Sequence, residues 1–298
     1  MTSQTLEVVA LALIPALLWG FTPIFDKRGM AAGGSSVQAS LVVALVDSTI
    51  YWLVIAVLRG GSAFSGLTPE TAGVFVFAGV VGTALGRITI FVGVDRVGAS
   101  LNSAILSTRP LFATLIALVF LGEPLGPVTA LGIVILVAGL SLLTISRGGD
   151  LEGWEPRDLL WPIAAAATFA VANVARRYGM LGSPISALEA VALNETAGVV
   201  ALVAYALALG KTDAFRTPRA SYRYFAASGL LTTVAMLSLM AALGREGGRI
   251  ALVDPLVATA PFFTLVFAAV LLRDLERVTR GVVGGAALIV GGAVLITI

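Results

Sequence analysis

Long apolar blocks alternate with short polar punctuation from one end of the chain to the other. Ten blocks stand out, at 6–25, 36–58, 71–94, 98–121, 126–145, 158–178, 185–209, 221–243, 248–272 and 278–298. As a helix, each is long enough to cross a hydrocarbon core of about 30 Å, which takes roughly 20 apolar residues. The blocks are continuous and rich in Leu, Ala, Val and Gly. They lack the strict apolar–polar alternation of a barrel strand, so the pattern predicts membrane helices. The longest polar separators, 26–35, 59–70, 146–157 and 210–220, are too short to house a soluble catalytic domain. The opening MTSQTLE has no basic region, and the apolar block after it is long enough to span. It reads as the first membrane helix rather than a cleaved signal.

The most polar stretch, Ser146 to Asp158, falls at mid-chain and separates five blocks from five. The two halves, 1–147 and 148–298, echo each other at an offset of about 150 residues. Gly29-Met30 answers Gly179-Met180, Gly79 answers Gly229, Pro110 and Phe112 answer Pro261 and Phe263, and Glu123 answers Asp274. Five is odd, so the second half inserts upside down relative to the first. The expected fold is therefore an all-α integral membrane protein of ten transmembrane helices in two inverted five-helix repeats. Many secondary carriers share that plan, with the site near the midplane between repeats.

Composition agrees with that expectation: 58% of residues are hydrophobic and 12% charged, against about 25% charged in a soluble domain. The net charge of +2, without a basic run, gives no footprint for nucleic acid. There is no Cys and no His, which excludes disulfides, thiolate or imidazole metal sites, His-based triads and His-ligated haem; no cofactor or metal is expected. Gly210-Lys211-Thr212 imitates the end of a phosphate-binding loop, but Tyr205 stands where that loop needs glycine.

Three segments carry a resemblance. They are ALLWGFTPIF (Ala16–Phe25), GASLNSAILSTRPLFATLIALVFLGEPLGPVTALGIVILVAGL, and GRIALVDPLVATAPFFTLVFAAVLLRDLERVTRGVVGGAALIVGG. The chain resembles the EamA-type branch of the drug/metabolite transporter superfamily along nearly its whole length. Both paired segments show a mid-span proline, an apolar run, a short acidic turn and a glycine-containing span. The resemblance implies a ten-helix carrier of amino acids, nucleosides or other small metabolites, often an exporter. The turn Arg273 to Arg277 is more highly charged than the family's usual one.

An ionisable group inside a bilayer is costly unless paired or hydrated, so each one is a candidate functional residue. Arg109 sits near the middle of the fourth span, seven residues after Asn102 on the same helical face. It either captures an anionic substrate group in two hydrogen bonds or locks helices together as an ion pair. Asp47 and Glu195 occupy the middles of the second and seventh spans, Glu195 beside Asn194. A midplane carboxylate can accept a substrate ammonium, carry a proton or pair with Arg109 or Arg87. Asp254 precedes Pro255 where two prolines weaken the ninth span. Arg87 follows Gly82 and Gly86. Trp19 ends the first span and Asn173 holds the corresponding place in the sixth; both are candidate cavity residues, though Trp near a span end also anchors at the interface. The glycines of the third, fifth and tenth spans are expected to pack helices closely.

The leading expectation is a secondary exporter of a small polar or zwitterionic metabolite such as an amino acid, working by alternating access, with protons as a possible coupling ion. A multidrug exporter of organic cations is the alternative within transporters, and an intramembrane enzyme the alternative outside them. The only lysines, Lys27 and Lys211, lie at loops, which disfavours Ser–Lys catalysis. Short loops suggest a plasma (inner) membrane, with a monomer or homodimer embedded in lipid. Of the basic residues near span ends, five (Arg59, Arg176, Arg177, Arg245, Arg249) fall on the side of the termini and twelve opposite. The positive-inside rule then puts both termini outside the cytoplasm.

Overall fold

The computed structural model describes residues 3–97, 99–146, 154–210, 212–271 and 280–298. The charged turn at 273–277 and the expected positions of Arg147, Lys211 and Asp274 lie outside them. Among the described residues the structure is entirely helical: α1 (Ser3–Ala31), α2 (Ser36–Leu58), α3 (Pro69–Ala78), a π-helical stretch (Gly79–Gly86), α4 (Arg87–Val97), α5 (Ala99–Leu106), α6 (Arg109–Phe120), α7 (Pro127–Ile145), α8 (Leu160–Met180), α9 (Ala187–Ala208), α10 (Arg219–Gly244), α11 (Ile250–Val257), α12 (Ala260–Leu271) and α13 (Arg280–Thr297). Among the described residues seven helices are long and apolar enough to cross a membrane, and three shorter apolar ones occupy 104–120, 250–264 and 283–297.

Burial is inverted relative to a soluble protein. Val57 and Phe120 are 82% and 77% exposed, while Asp47, Asn194, Glu195 and Asp254 are at most 1% exposed. Apolar side chains face outward because lipid is their solvent; the interior holds the polar groups that lipid cannot hydrate.

Helix starts follow local chemistry. Ser35 and Gln38 form a reciprocal cap on α2, and Ser186 and Glu189 do the same on α9. The expected loop 26–35 is mostly helix, because α1 runs on to Ala31 before Gly33, at φ 98°, turns the chain. Asp26 is thereby a helical residue facing inward.

The fourth and ninth expected spans are each two helices. In the first, Thr108 donates its hydroxyl to the Ile105 carbonyl at 2.6 Å and its N–H at 3.0 Å, and Pro110 follows. In the second, Thr259 bonds the Leu256 carbonyl at 2.6 and 3.1 Å, and Pro261 follows. Proline supplies no N–H, so the preceding threonine closes a three-residue turn and the chain restarts as α6 and α12. The weak point of the ninth span is thus at Ala258-Thr259, while Asp254 and Pro255 lie within α11.

The third expected span is also interrupted, by the π stretch. Its glycines meet neighbouring helices at contact distance: Gly82 faces Ala172 and Arg176, Gly86 the ring of Phe169, and Gly79 the backbone of Asn194. Close approach to α8 and α9 turns Thr83 toward Glu195.

Helices α7 and α13 cross glycine against glycine. A β-carbon at Gly292 would stand 2.6 Å from Leu136 N and 2.7 Å from the Gly132 carbonyl, whereas one at Gly291 meets nothing within 4 Å. Such small faces allow the backbone approach that holds membrane helices together. Gly292→Ala is therefore expected to destabilise the protein by about 1–3 kcal/mol through overpacking. Gly291→Ala should be near neutral. Thermal unfolding in detergent, read for both, checks the contrast.

Candidate functional site

A central cavity of about 280 Å³ is walled by α1, α2, the π stretch, α4, α6, α8, α9 and α10. That size lies just under the roughly 300–1,000 Å³ of pockets for drug-sized ligands, and suits a metabolite. Its charged lining consists of Arg87, Arg109, Arg176, Asp26 and Glu195; Trp19, Phe169 and Met236 supply apolar wall, and Thr22, Thr83, Asn173 and Ser228 neutral polar groups.

One hydrogen-bonded network crosses the floor. Arg109 Nε donates to Asp254 Oδ2 at 3.1 Å. Asn173 Nδ2 donates to Asp254 Oδ1, and the Asn173 carbonyl oxygen accepts from Arg176 Nη1 at 2.7 Å. Arg176 Nε donates to Asn194 Oδ1 at 3.0 Å, and Asn194 Nδ2 donates to Glu195 Oε1 at 2.7 Å. Thr83 Oγ1 also donates to that oxygen, at 3.1 Å. The chain joins α6, α11, α8, α9 and the π stretch. Its charges are unevenly compensated. Arg109 has Asp254 as an ion-pair partner. Arg176 is 3% exposed and held by two amides. Among the described residues, Arg87 donates to the Ser40 carbonyl at 3.4 Å. Neither Arg87 nor Arg176 has a carboxylate within ion-pair distance among the described residues. On the acidic side, Glu195 Oε2 and Asp26 Oδ1 are buried without a hydrogen-bond partner.

Of the residues singled out in the sequence, Arg109, Asp254, Asn173, Asn194 and Glu195 are joined in this network, and Arg87 and Trp19 line the same cavity. Arg109 does both things considered for it: it pairs with Asp254 and it faces the cavity. Asp254 and Asn194 stand behind the wall as partners of lining residues. Asp47 is fully buried between α2 and α9 and does not line the cavity. Asn102 is 2% exposed and packs its amide against Gly93, away from the cavity.

Sequence reading missed Arg176, Asp26 and Thr83. Arg176 and Arg177 had been assigned to a span end, but both are buried within α8. Arg176 falls one turn after Asn173, on the same face, and that spacing was the available signal. Arg177 points elsewhere. Its Nε donates to Glu123 Oε1 at 3.1 Å and its Nη1 to the carbonyls of Leu243 and Arg245. Glu123 Oε2 accepts the Ile250 N–H at 2.7 Å. This clamp ties the α6–α7 turn to the end of α8 and to the α10–α11 turn. Nearby, Arg245 pairs with Glu7 of α1 at 2.7 Å.

A buried pair that loses one member leaves the other charged and unsatisfied, at a cost of about 3–5 kcal/mol. Glu123→Ala is expected to lower thermal stability by that order. The double change Glu123→Leu with Arg177→Met should recover most of the loss, which thermal unfolding of the two variants and the wild type in detergent checks.

A family model described as the EamA-like transporter family matches the chain twice, over residues 6–145 and 157–298. An uncharacterized transporter of Clostridium kluyveri is 26% identical over 153 residues, which is 50% of this chain and 48% of that protein. A WAT1-related chloroplastic protein of Arabidopsis thaliana is 27% identical over 173 residues, covering 55% of this chain and 39% of its own length. The matches thus span half or less of those relatives. A solved crystal structure superposes with a TM-score of 0.77 over 97% of this chain and 95% of that one, at 19% identity, and so shares its fold. Helices of membrane-spanning length and two family matches that together run almost end to end lead to one conclusion: this multi-pass membrane protein belongs to the EamA-like transporter family.

Proposed function

We propose that the chain is a secondary carrier of a small zwitterionic metabolite of amino-acid size, exporting it by alternating access, with ten spans in two inverted repeats around the central cavity. The observation that carries this reading is the charge layout of that cavity. Two guanidiniums with no carboxylate within ion-pair distance among the described residues, Arg87 and Arg176, share it with Glu195, whose Oε2 has no hydrogen-bond partner among them. A substrate carboxylate fits the arginines, which offer planar paired donors, and a substrate ammonium fits Glu195 or Asp26. An organic cation would meet three arginines in the same space, which disfavours the multidrug reading. Among the described residues no compact set of nucleophile and base accompanies the carboxylates, which disfavours an enzyme.

The test is efflux from liposomes loaded with a mixture of the twenty amino acids and organic cations, with the released species identified by mass spectrometry. Amino acids are expected to leave. Arg176→Ala is expected to weaken their transport on the order of 10- to 100-fold, the value of a charge-assisted contact. Release of organic cations that Arg176→Ala leaves untouched would instead favour the multidrug reading.

The sidedness follows from the basic residues. With Arg176 and Arg177 buried in α8, the flanking charges on the terminal side fall from five to three against twelve opposite. We place the protein in a plasma (inner) membrane with both termini outside the cytoplasm. The chain has no native cysteine, so single cysteines report cleanly. Ser62→Cys is expected to react with an impermeant maleimide on intact cells, and Thr217→Cys only after permeabilisation.

A further inference from the structure

We infer that Asp47 is the proton-binding site that couples the carrier to a pH gradient, with Glu195 as its door to the cavity; this rests on the carrier reading. Asp47 is fully buried in the middle of α2, and neither carboxylate oxygen has a hydrogen-bond partner among the described residues. A carboxylate so placed sits in low dielectric with no cation within ion-pair distance among the described residues, which favours its protonated form. It does not line the cavity, so substrate does not supply the missing partner.

The interface around it explains how a proton would arrive. Ser48 Oγ and Thr196 Oγ1 stand 3.1 Å apart where α2 meets α9. Asp47 and Glu195 immediately precede them on α2 and α9, and Glu195 bears electrostatically on Asp47 across this interface. Glu195 reaches the cavity on its other side, and its Oε2 is free to pass a proton on. The charged groups that bear on Asp47 are Glu195 from α9 and Arg87 from α4. Tyr51, one turn along α2, is occupied in donating to the Thr233 carbonyl of α10 at 2.7 Å. Helix α10 packs here through Gly229 and carries its own charges, Arg219 and Arg223, only in its first turns. Asp26 of α1 faces the cavity beside Arg87 and Ser228.

The step is a simple proton transfer. A proton from cavity water bonds to Glu195 Oε2 and passes to an Asp47 oxygen, leaving Glu195 anionic again. Release runs the same path in reverse after the cavity opens to the other side. A substrate ammonium seated on Glu195 closes that path. Proton and substrate therefore cannot use the door together, which enforces exchange of one for the other.

Two measurements on the full chain in liposomes test this. The first is the infrared carbonyl stretch of a protonated carboxyl group, expected in the wild type and missing in Asp47→Asn. The second is transport of the amino-acid mixture with a pH dye trapped inside. Asp47→Asn is expected to lose proton flux and pH-driven accumulation while keeping amino-acid exchange across equal pH; Glu195→Gln should lose both. An unchanged infrared band, pH-driven accumulation that survives in Asp47→Asn, or a sodium gradient that drives where pH does not would each overturn the assignment. If no amino acid moves even in the wild type, the carrier reading fails, and the infrared band still decides whether Asp47 holds a proton.

Discussion

Inside hydrocarbon a polar group has only the protein to satisfy it, and the arrangement of this molecule follows from that constraint. The network from Arg109 through Asp254, Asn173, Arg176 and Asn194 to Glu195 meets it by chaining donors to acceptors across four helices that are distant in sequence. Each link fixes a rotamer of the next. Asp254 orients Asn173, whose carbonyl then faces Arg176; Arg176 orients Asn194, whose amide faces Glu195. Removing an interior member would leave two buried neighbours unsatisfied.

The interrupted helices serve the same geometry. An unbroken fourth span would commit every carbonyl before Arg109 to the helix ladder. The turn at Thr108 restarts the chain as α6, so that Arg109 begins a helix and can swing to Asp254 on α11. The π stretch does the corresponding job for Thr83, which reaches Glu195 because glycines bring its backbone close to α8 and α9. Irregular backbone at membrane depth is tolerated where it is buried in protein or lines a cavity, and these breaks lie against other helices or beside the cavity.

Most of the membrane character and the candidate chemistry was legible in the sequence, because both depend on local facts. Apolar blocks of spanning length announce themselves, and an ionisable residue at mid-block, such as Arg109 or Glu195, stands out against its neighbours. What could not be read is which partner each charge would find. Nothing in the chain order joins Asp254 to Asn173, which are brought together by the crossing of α11 and α8. Nor does it say that Asp26, the first residue of the expected loop 26–35, would be helical and turn inward. Asn102 and Asp47 looked equivalent to the lining residues because depth in the bilayer is visible in a sequence while rotation about the helix axis, set by neighbours, is less so.

Arg176 and Arg177 show how much that rotation decides. They are adjacent, of one type, and both buried in α8. Successive residues of a helix point about a quarter-turn apart, and here that quarter-turn separates two environments. Arg177 meets Glu123 and two backbone carbonyls, so its charge is neutralised and its donors are engaged in holding three chain turns together. Arg176 meets two neutral amides and the cavity. Amides fix the plane of a guanidinium without cancelling its charge, and Glu195 and Asp254 offset that charge only from beyond ion-pair distance. Lysine could not replace it equivalently, since an ammonium has no plane to fix and a heavier hydration shell to lose. On the carrier reading, the first arginine of the pair faces the passing substrate and the second holds the fold shut on the side where Arg245 pairs with Glu7.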